Sequence, residues 1–265
     1  MCCLRSSLPR RRPPPRQPPC NSRRTHLHTL QSMHSRVPRP CPLPHSGGHP
    51  MTQTIAILGG NLRALSTVHT ILDSQPDAEV HIIEETAEIG LSAEAPGIIS
   101  LWPIVPAHWL SELGTQEPNS LSGAIRRSWL VKAMATSLAS RGCTFHLRTR
   151  VEDISQENEV TFVGAGILGS GKTSFGIVLD MRTPTHPGKE WQGGVCIQCH
   201  APSFGIKGER PDGTTEVWWR GQEPDHGKWV HRMRWVGDDP TSSLMADINA
   251  GIDAGKNLID TIIQP

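Results

Sequence analysis

The sequence predicts an α/β fold built on a parallel sheet, and three observations carry that reading. A short run, Ile55-Ala-Ile-Leu58, is apolar at every position, as a strand buried on both faces must be. Leu62, Leu65, Val68 and Leu72 then recur at the spacing of one helix face, and Pro76 ends the helix. Val80-His-Ile-Ile-Glu84 follows as a second apolar strand. A strand, helix, strand run of this length closes as a right-handed parallel unit.

The chain of 265 residues is not uniform. Residues 1–50 hold nine Arg, eleven Pro and four of the seven Cys, but no Asp, Glu or Lys. Sparse apolar residues and repeated Pro predict a disordered Arg/Pro-rich extension, which translation upstream of Met51 would also produce. An organelle transit peptide is the alternative, because such peptides are rich in Arg and poor in acids. Residues 51–265 carry 17 basic and 25 acidic residues, a formal charge of −8, which argues against a nucleic-acid partner. No apolar run reaches transmembrane length, and three Cys in this part make no disulfide scaffold. The expected compartment is the cytoplasm, or an organelle if residues 1–50 act as a transit peptide.

After the parallel unit, residues 86–123 lack periodicity and contain Pro96, Pro103, Pro106 and Pro118, as functional loops do. Residues 122–140 read as a helix stopped by Gly142, and Thr144-Phe-His-Leu-Arg148 as a strand continuing through Val151. Val160-Thr-Phe-Val163 and Phe175-Gly-Ile-Val-Leu-Asp180 are two more strands in a β-meander. Residues 182–194 read as loop; Glu216-Val-Trp-Trp219 and Lys228 to Val236 read as strands. A long helix from Leu244 to Ile263 closes the chain. The folded part is thus one nucleotide-binding domain over 51–265, with small insertions at 86–123 and 182–233.

The turn between the first strand and its helix is Gly59-Gly60-Asn61-Leu62-Arg63-Ala64. It follows the dinucleotide fingerprint G-x-G-x-x-G at Gly59, with Asn61 for the second Gly and Ala64 for the third. Ala is compatible with the close helix–strand packing required there. A Cβ at Asn61 crowds the approach of a pyrophosphate. The helix N-terminus offers free N–H groups to phosphate, and Glu84, at the end of the second strand, can accept from a ribose diol. The alternative is a parallel unit without a ligand.

A second piece lies near the other end. Arg234-Trp-Val-Gly237-Asp238-Asp239 ends a strand and precedes the Ala/Gly-rich helix Asp247-Ile-Asn-Ala-Gly-Ile-Asp-Ala-Gly255. Asp238 can accept a hydroxyl at the strand end; alternatively the segment merely caps the helix through Asp239.

Together these pieces resemble the two-motif FAD-binding oxidoreductases, the superfamily that includes geranylgeranyl reductases and aromatic hydroxylases. The resemblance covers residues 54–85, 125–151, 160–181 and 234–263, in order. It implies a Rossmann-type FAD/NAD(P)-binding parallel sheet with a β-meander and a C-terminal helix. It implies that Gly59, Gly60, Asn61 and Ala64 face the pyrophosphate, Glu84 the adenosine ribose and the Val151 backbone the adenine. It places Gly237 and Asp238 by the ribityl-pyrophosphate region, and Arg126 or Arg127, here Arg127, near the flavin. Little chain is left for a substrate domain.

Other motifs compete. Gly166-Ile-Leu-Gly-Ser-Gly171-Lys172-Thr173 matches the phosphate-loop pattern, but an apolar β-type run follows where a helix is needed, so it reads as a hairpin turn. Cys196-Ile-Gln-Cys199-His200 matches the haem-attachment pattern. It also suits a redox dithiol, half of a metal site completed by His226 or His231, or a structural role. Trp218, Trp219, Trp229 and Trp235 read as core between strands or as a stacking surface, with Trp229, His231, Met233 and Trp235 on one strand face. His108 is a weak acid–base candidate.

The expected function is FAD-dependent oxidoreduction of a small molecule, with NAD(P)H as a candidate electron donor and no catalytic side chain or metal site nominated. Two rivals remain: a flavin- or nucleotide-binding protein working beside a protein partner or as a homo-oligomer, and a haem or metal electron carrier built on Cys196, Cys199 and His200.

Overall fold

In the computed structural model the described residues are 53–91, 95–112, 117–164, 169–182, 188–222 and 228–263. They belong to the compact unit 48–265, and the extension expected over 1–50 lies outside them.

Strand β1 (Thr54–Leu58), helix α1 (Leu62–Ser74) and strand β2 (Glu79–Ile83) form the expected parallel unit. After the irregular segment and a 3-10 turn at Ala107–Trp109, helix α2 (Arg127–Ser140) leads to strand β3 (Thr144–His146). An antiparallel meander follows: β4 (Thr149–Ile154), β5 (Glu159–Gly164) and β6 (Gly171–Ser174). Strand β7 (Ile177–Asp180) then returns to β1, giving a parallel sheet of order β3-β2-β1-β7.

Strand alternation assigns the two faces of this sheet. Ile55, Ile57, Val80 and Ile82 pack among α1, α2 and the last helix, α3 (Ser243–Ile263). Ala56, Leu58 and Ile83 pack on Val160 and Phe162 of the meander and on Phe175. The sheet is therefore covered on both faces, which is why its strands are apolar throughout.

The second sheet is antiparallel, of order β11-β8-β10-β9, from β8 (Lys189–Ile197), β9 (Ile206–Glu209), β10 (Thr214–Trp219) and β11 (His231–Gly237). Trp218, Trp235 and Met233 pack on one face; Trp219 and Trp229 stack on the other, 5.0 Å apart. The Trp group is therefore core. Trp229 and Met233 lie on opposite faces rather than the one expected, because Trp229 precedes β11.

Other expectations are corrected. The α2 helix starts at Arg127, not at residue 122: Gly123 and Ala124 donate to the Glu209 carbonyl, and Ile125 donates to Gly97, so this stretch is extended. The strand from Thr144 through Val151 is two strands in different sheets. The chain turns at Arg148, whose φ is 53°, and Thr149 donates to the Glu84 carbonyl. The loop expected over 182–194 contains the first part of β8, the strand between β10 and β11. Its adjacent glycines look like a loop signal but serve packing. A Cβ at Gly193 would stand 2.6 Å from the Trp218 ring, and one at Gly194 would stand 2.3 Å from the Trp229 ring.

Candidate nucleotide site

Strand order reverses at β1: β2 continues the chain on one side, and β7 arrives from the meander on the other. A crevice at the carboxyl end of such a strand is where open α/β sheets place ligands. The Gly59–Asn61 turn sits there, flanked by the ends of β2 and β7. Gly59 adopts φ +102°, which a side chain rarely tolerates, and donates to the Ile83 carbonyl at 2.8 Å. A Cβ at Gly60 would stand 2.3 Å from Ile89 Cδ1 and 3.1 Å from Glu84 Oε2.

Asn61 lines the crevice, with its side-chain groups bonded to two backbone partners. It is the N-cap of α1, with φ −84°. Its Oδ1 accepts from Ala64 N at 2.9 Å, and its Nδ2 donates to the Met181 carbonyl at 2.6 Å. The side chain thus ties α1 to the end of β7. Asn serves here as a cap, one of its preferred roles. The first backbone bond of α1 runs from Leu65 N to the Asn61 carbonyl and Ala64 N is taken by the cap, so the N–H groups of Leu62 and Arg63 are the ones without an acceptor inside the helix. Ala64 is fully buried and does not face the crevice.

Glu84 closes the crevice from β2. Its Oε2 accepts from Gly60 N at 2.5 Å and its Oε1 from Thr86 N at 2.9 Å. Each carboxylate oxygen keeps acceptor capacity beyond one bond, so ribose hydroxyls can add to this pair without displacing it. The cavity so formed has a volume of about 230 Å³, and Gly59, Gly60, Asn61, Glu84 and Val151 line it. Thr149, Arg150, Glu85 and Arg182 line it too, and sequence reasoning missed all four. Arg182 gives Nε and Nη2 to the Asp180 carboxylate at 2.9 and 2.5 Å. These bonds hold Asp180 below the usual carboxylate range and raise Arg182. Arg182 borders the cavity because β7 pairs with β1, and no local pattern announces that pairing.

The second expected piece lies elsewhere. Arg127 is buried at the start of α2, donating to the Pro96 carbonyl at 3.2 Å and pairing with Asp247 of α3. Gly237 ends β11, where a Cβ would stand 2.1 Å from the Trp235 ring, and its carbonyl accepts from Trp191 Nε1 at 3.1 Å. Asp238 is exposed. Asp239 shapes the approach to α3: its carboxylate accepts from Thr241 N and Oγ1 at 2.9 and 2.8 Å. None of Arg127, Gly237 and Asp238 lines the cavity.

Among the described residues the competing motifs do not assemble sites. Lys172 lies in β6 with Nζ 3.0 Å from Glu159 Oε1, so Gly171-Lys172-Thr173 is strand and not a phosphate loop; residues 165–168 of the pattern are outside the described residues. Cys196 is buried on the face shared with Val217, Trp219 and Trp229, with burial as the main cause of its raised thiol pKa, whereas Cys199 is exposed. A thioether at Cys196 would disrupt that packing. Among the described residues no group of three or more His, Cys, Asp or Glu is placed to hold a metal; His226 lies outside them. His108 bonds the Asp73 carboxylate at 3.0 Å beside Trp109 and Arg141, without a nucleophile joined to it. No helix among the described residues is long and apolar enough to cross a membrane.

No protein-family model and no curated protein matches the sequence. Solved structures do match in fold. BexE, studied for oxidation during BE-7585A biosynthesis, aligns with TM-score 0.50 and 12% identity, over 78% of this chain and 62% of its own. A flavoprotein/dehydrogenase from Cytophaga hutchinsonii aligns with TM-score 0.49 and 10% identity, over 78% of each chain. Aklavinone-11 hydroxylase, solved as a ternary complex with FAD and aklavinone, aligns with TM-score 0.48 and 12% identity, over 80% of this chain and 63% of its own. The chain thus spans about three-fifths of the length of BexE and of the hydroxylase. Its α/β fold, with a parallel sheet, antiparallel sheets and a closing helix, is the fold it shares with BexE.

Proposed function

We propose that this protein binds FAD and is an oxidoreductase acting on a small molecule. One observation carries the reading: the Gly59–Asn61 turn, which leads into α1, and the Glu84 carboxylate border one cavity at the reversal of strand order. The cavity suits the adenosine half of a dinucleotide. In this reading Glu84 accepts from the ribose hydroxyls while keeping its bonds to Gly60 and Thr86. The N–H groups at the start of α1 donate to the pyrophosphate. The backbone of Val151 borders the adenine. Bound FAD would supply hydride or electron transfer, with NAD(P)H as the candidate donor. Gly237, Asp238 and Arg127 are the proposed contacts to the rest of the cofactor.

A second reading is a flavin- or nucleotide-binding protein without turnover of its own, working beside a partner. The position of Arg127, Gly237 and Asp238 outside the cavity lining favours it. Absorption of the purified full chain after incubation with FAD and removal of unbound cofactor tests both. The two-band spectrum of bound oxidised flavin supports either reading, and NAD(P)H oxidation by that holoprotein then selects the oxidoreductase. A protein that retains no FAD overturns both.

A further inference from the structure

A second cavity of about 320 Å³ lies between the start of α2 and the turn joining β9 to β10. That volume is at the lower end for small-molecule sites. Its walls are apolar: Pro118, Ile125, Trp129 and Pro211. Two guanidinium groups, of Arg126 and Arg210, also line it. Arg126 is the alternative to Arg127 as the expected flavin contact; no other residue lining this cavity belongs to the expected nucleotide site or its rivals.

Arg210 is built into the fold rather than lying on the surface. Its side chain is 8% exposed and pairs with Glu216, which is 1% exposed. Glu216 Oε2 accepts both Nε, at 3.2 Å, and Nη2, at 2.5 Å. Glu216 Oε1 accepts from Gly97 N at 2.8 Å and Trp218 Nε1 at 2.6 Å, which locks the carboxylate. Arg210 Nη1 has no acceptor among the described residues. At the rim, Arg126 gives Nη2 to Asp212 Oδ2 at 3.1 Å, with side chains 61% and 34% exposed. Partial burial pushes the Asp212 carboxyl up, but bonds from Thr214 and the charges of Arg210 and Arg126 outweigh it, so the group stays ionised. With Glu216 committed to Arg210, the cavity is lined by one carboxylate and by two Arg side chains, each with guanidinium N–H groups that take no acceptor among the described residues.

We infer that this cavity binds a small carboxylic acid with an apolar body, its carboxylate received by Arg210 Nη1 and Arg126 and its body held between Ile125, Trp129 and the two prolines. A guanidinium edge matches a planar carboxylate, and charge-assisted bonds are the strong ones in a partly desolvated site. Asp212 sets the charge of the preferred ligand. It repels a dianion, so a monoanion fits better than inorganic phosphate. The inference is independent of the nucleotide reading, because none of these residues lines the first cavity.

The test is calorimetric titration of the full chain, without FAD, with benzoate, benzamide and inorganic phosphate. The same additions are followed by amide NMR. Benzoate should saturate one site, with shifts at residues 125–129 and 210–212. Benzamide and phosphate should bind at least about tenfold more weakly, since each lost charge-assisted bond is worth about a decade in affinity. Arg126→Met should weaken benzoate about tenfold. Asp212→Asn should strengthen it by freeing Arg126. Both variants sit at the rim, and unchanged thermal unfolding shows that each is folded. No saturable benzoate binding, equal binding of benzamide or phosphate, shifts elsewhere, or indifference to Arg126→Met would each overturn the assignment.

Discussion

In the parallel sheet, polar contacts gather around the turn after β1, where Ile83, Glu84 and Asn61 accept backbone N–H groups at the edge of an open crevice. In the antiparallel sheet they gather on one carboxylate, Glu216, which accepts from a backbone N–H, an indole and a guanidinium while fully buried. The glycines differ in the same way. Gly59 is needed for its backbone conformation, at φ +102°. Gly193 and Gly194 are needed because indole rings lie over them. The first region ties its backbone around an open crevice, the second around a buried carboxylate. The first is therefore the one proposed to receive a nucleotide, whereas the second contributes rigid side chains such as Arg210.

Breaking the second region should cost most. Glu216→Ala leaves the Arg210 charge, the Gly97 N–H and the Trp218 N–H without their acceptor, and should destabilise by about 3–5 kcal/mol in urea unfolding. A loss below about 1 kcal/mol would mean that the carboxylate is not the organising group of that sheet.

The parallel region should break where its helices touch. A Cβ at Gly251 would stand 2.3 Å from the Arg63 carbonyl, and one at Gly255 would stand 2.8 Å from Thr70 Cβ. The order of these contacts runs α3 alongside α1 in the same direction, and Thr67 Oγ1 donates to the Gly251 carbonyl at 3.0 Å. Gly251→Val should cost about 2–3 kcal/mol by overpacking. It should also weaken FAD retention by shifting α1, so a stability loss with FAD uptake intact would separate the α1–α3 contact from the turn.

The pH dependence sharpens the comparison, because buried histidines occur in the first region alone among the described residues. His69 is fully buried, and burial followed by the Arg141 charge lowers its pKa from 6.5 to about 3. Burial and the neighbouring His81 also lower His146. The unfolded chain then binds more protons than the folded one below pH 6.5, so stability is fully present above that value and falls as pH drops. From pH 6.5 to pH 5 the His69 contribution should fall by about 2 kcal/mol. His69→Gln should flatten that slope, and an unchanged slope would place the titration elsewhere.

Asn61→Ala should have the smallest effect, about 1 kcal/mol from the lost cap, with Met181 losing a donor as well. Asn61→Gly should cost less, because Gly is a tolerable cap. If instead Asn61→Gly raised FAD affinity about tenfold, the residue would be obstructing the pyrophosphate after all.

Local patterns were enough for β1, α1, β2 and the long α3, because each carries a complete period of apolar residues and a recognisable stop. They failed at β8, where Gly193-Gly194 mimics a loop, and at Arg148, where an unbroken β-type run turns between two sheets. They also failed at residues 122–126, which are helical in composition but bonded as extended chain to Gly97 and Glu209. In each case a long-range partner overrides a local preference of at most about 1 kcal/mol per residue.

The sequence by itself determined a parallel α/β unit with a glycine turn and an acid after its second strand, because periodicity and turn chemistry are written in neighbouring residues. Only the tertiary structure decided what the turn faces. The pairing of β7 with β1 brought the Met181 carbonyl to accept from Asn61 and Arg182 to the cavity rim. The pairing of β10 with β9 buried Arg210 against Glu216 beneath a second cavity. Strand order joins Asn61 to Met181, 120 positions on, and no spacing within one segment encodes that choice.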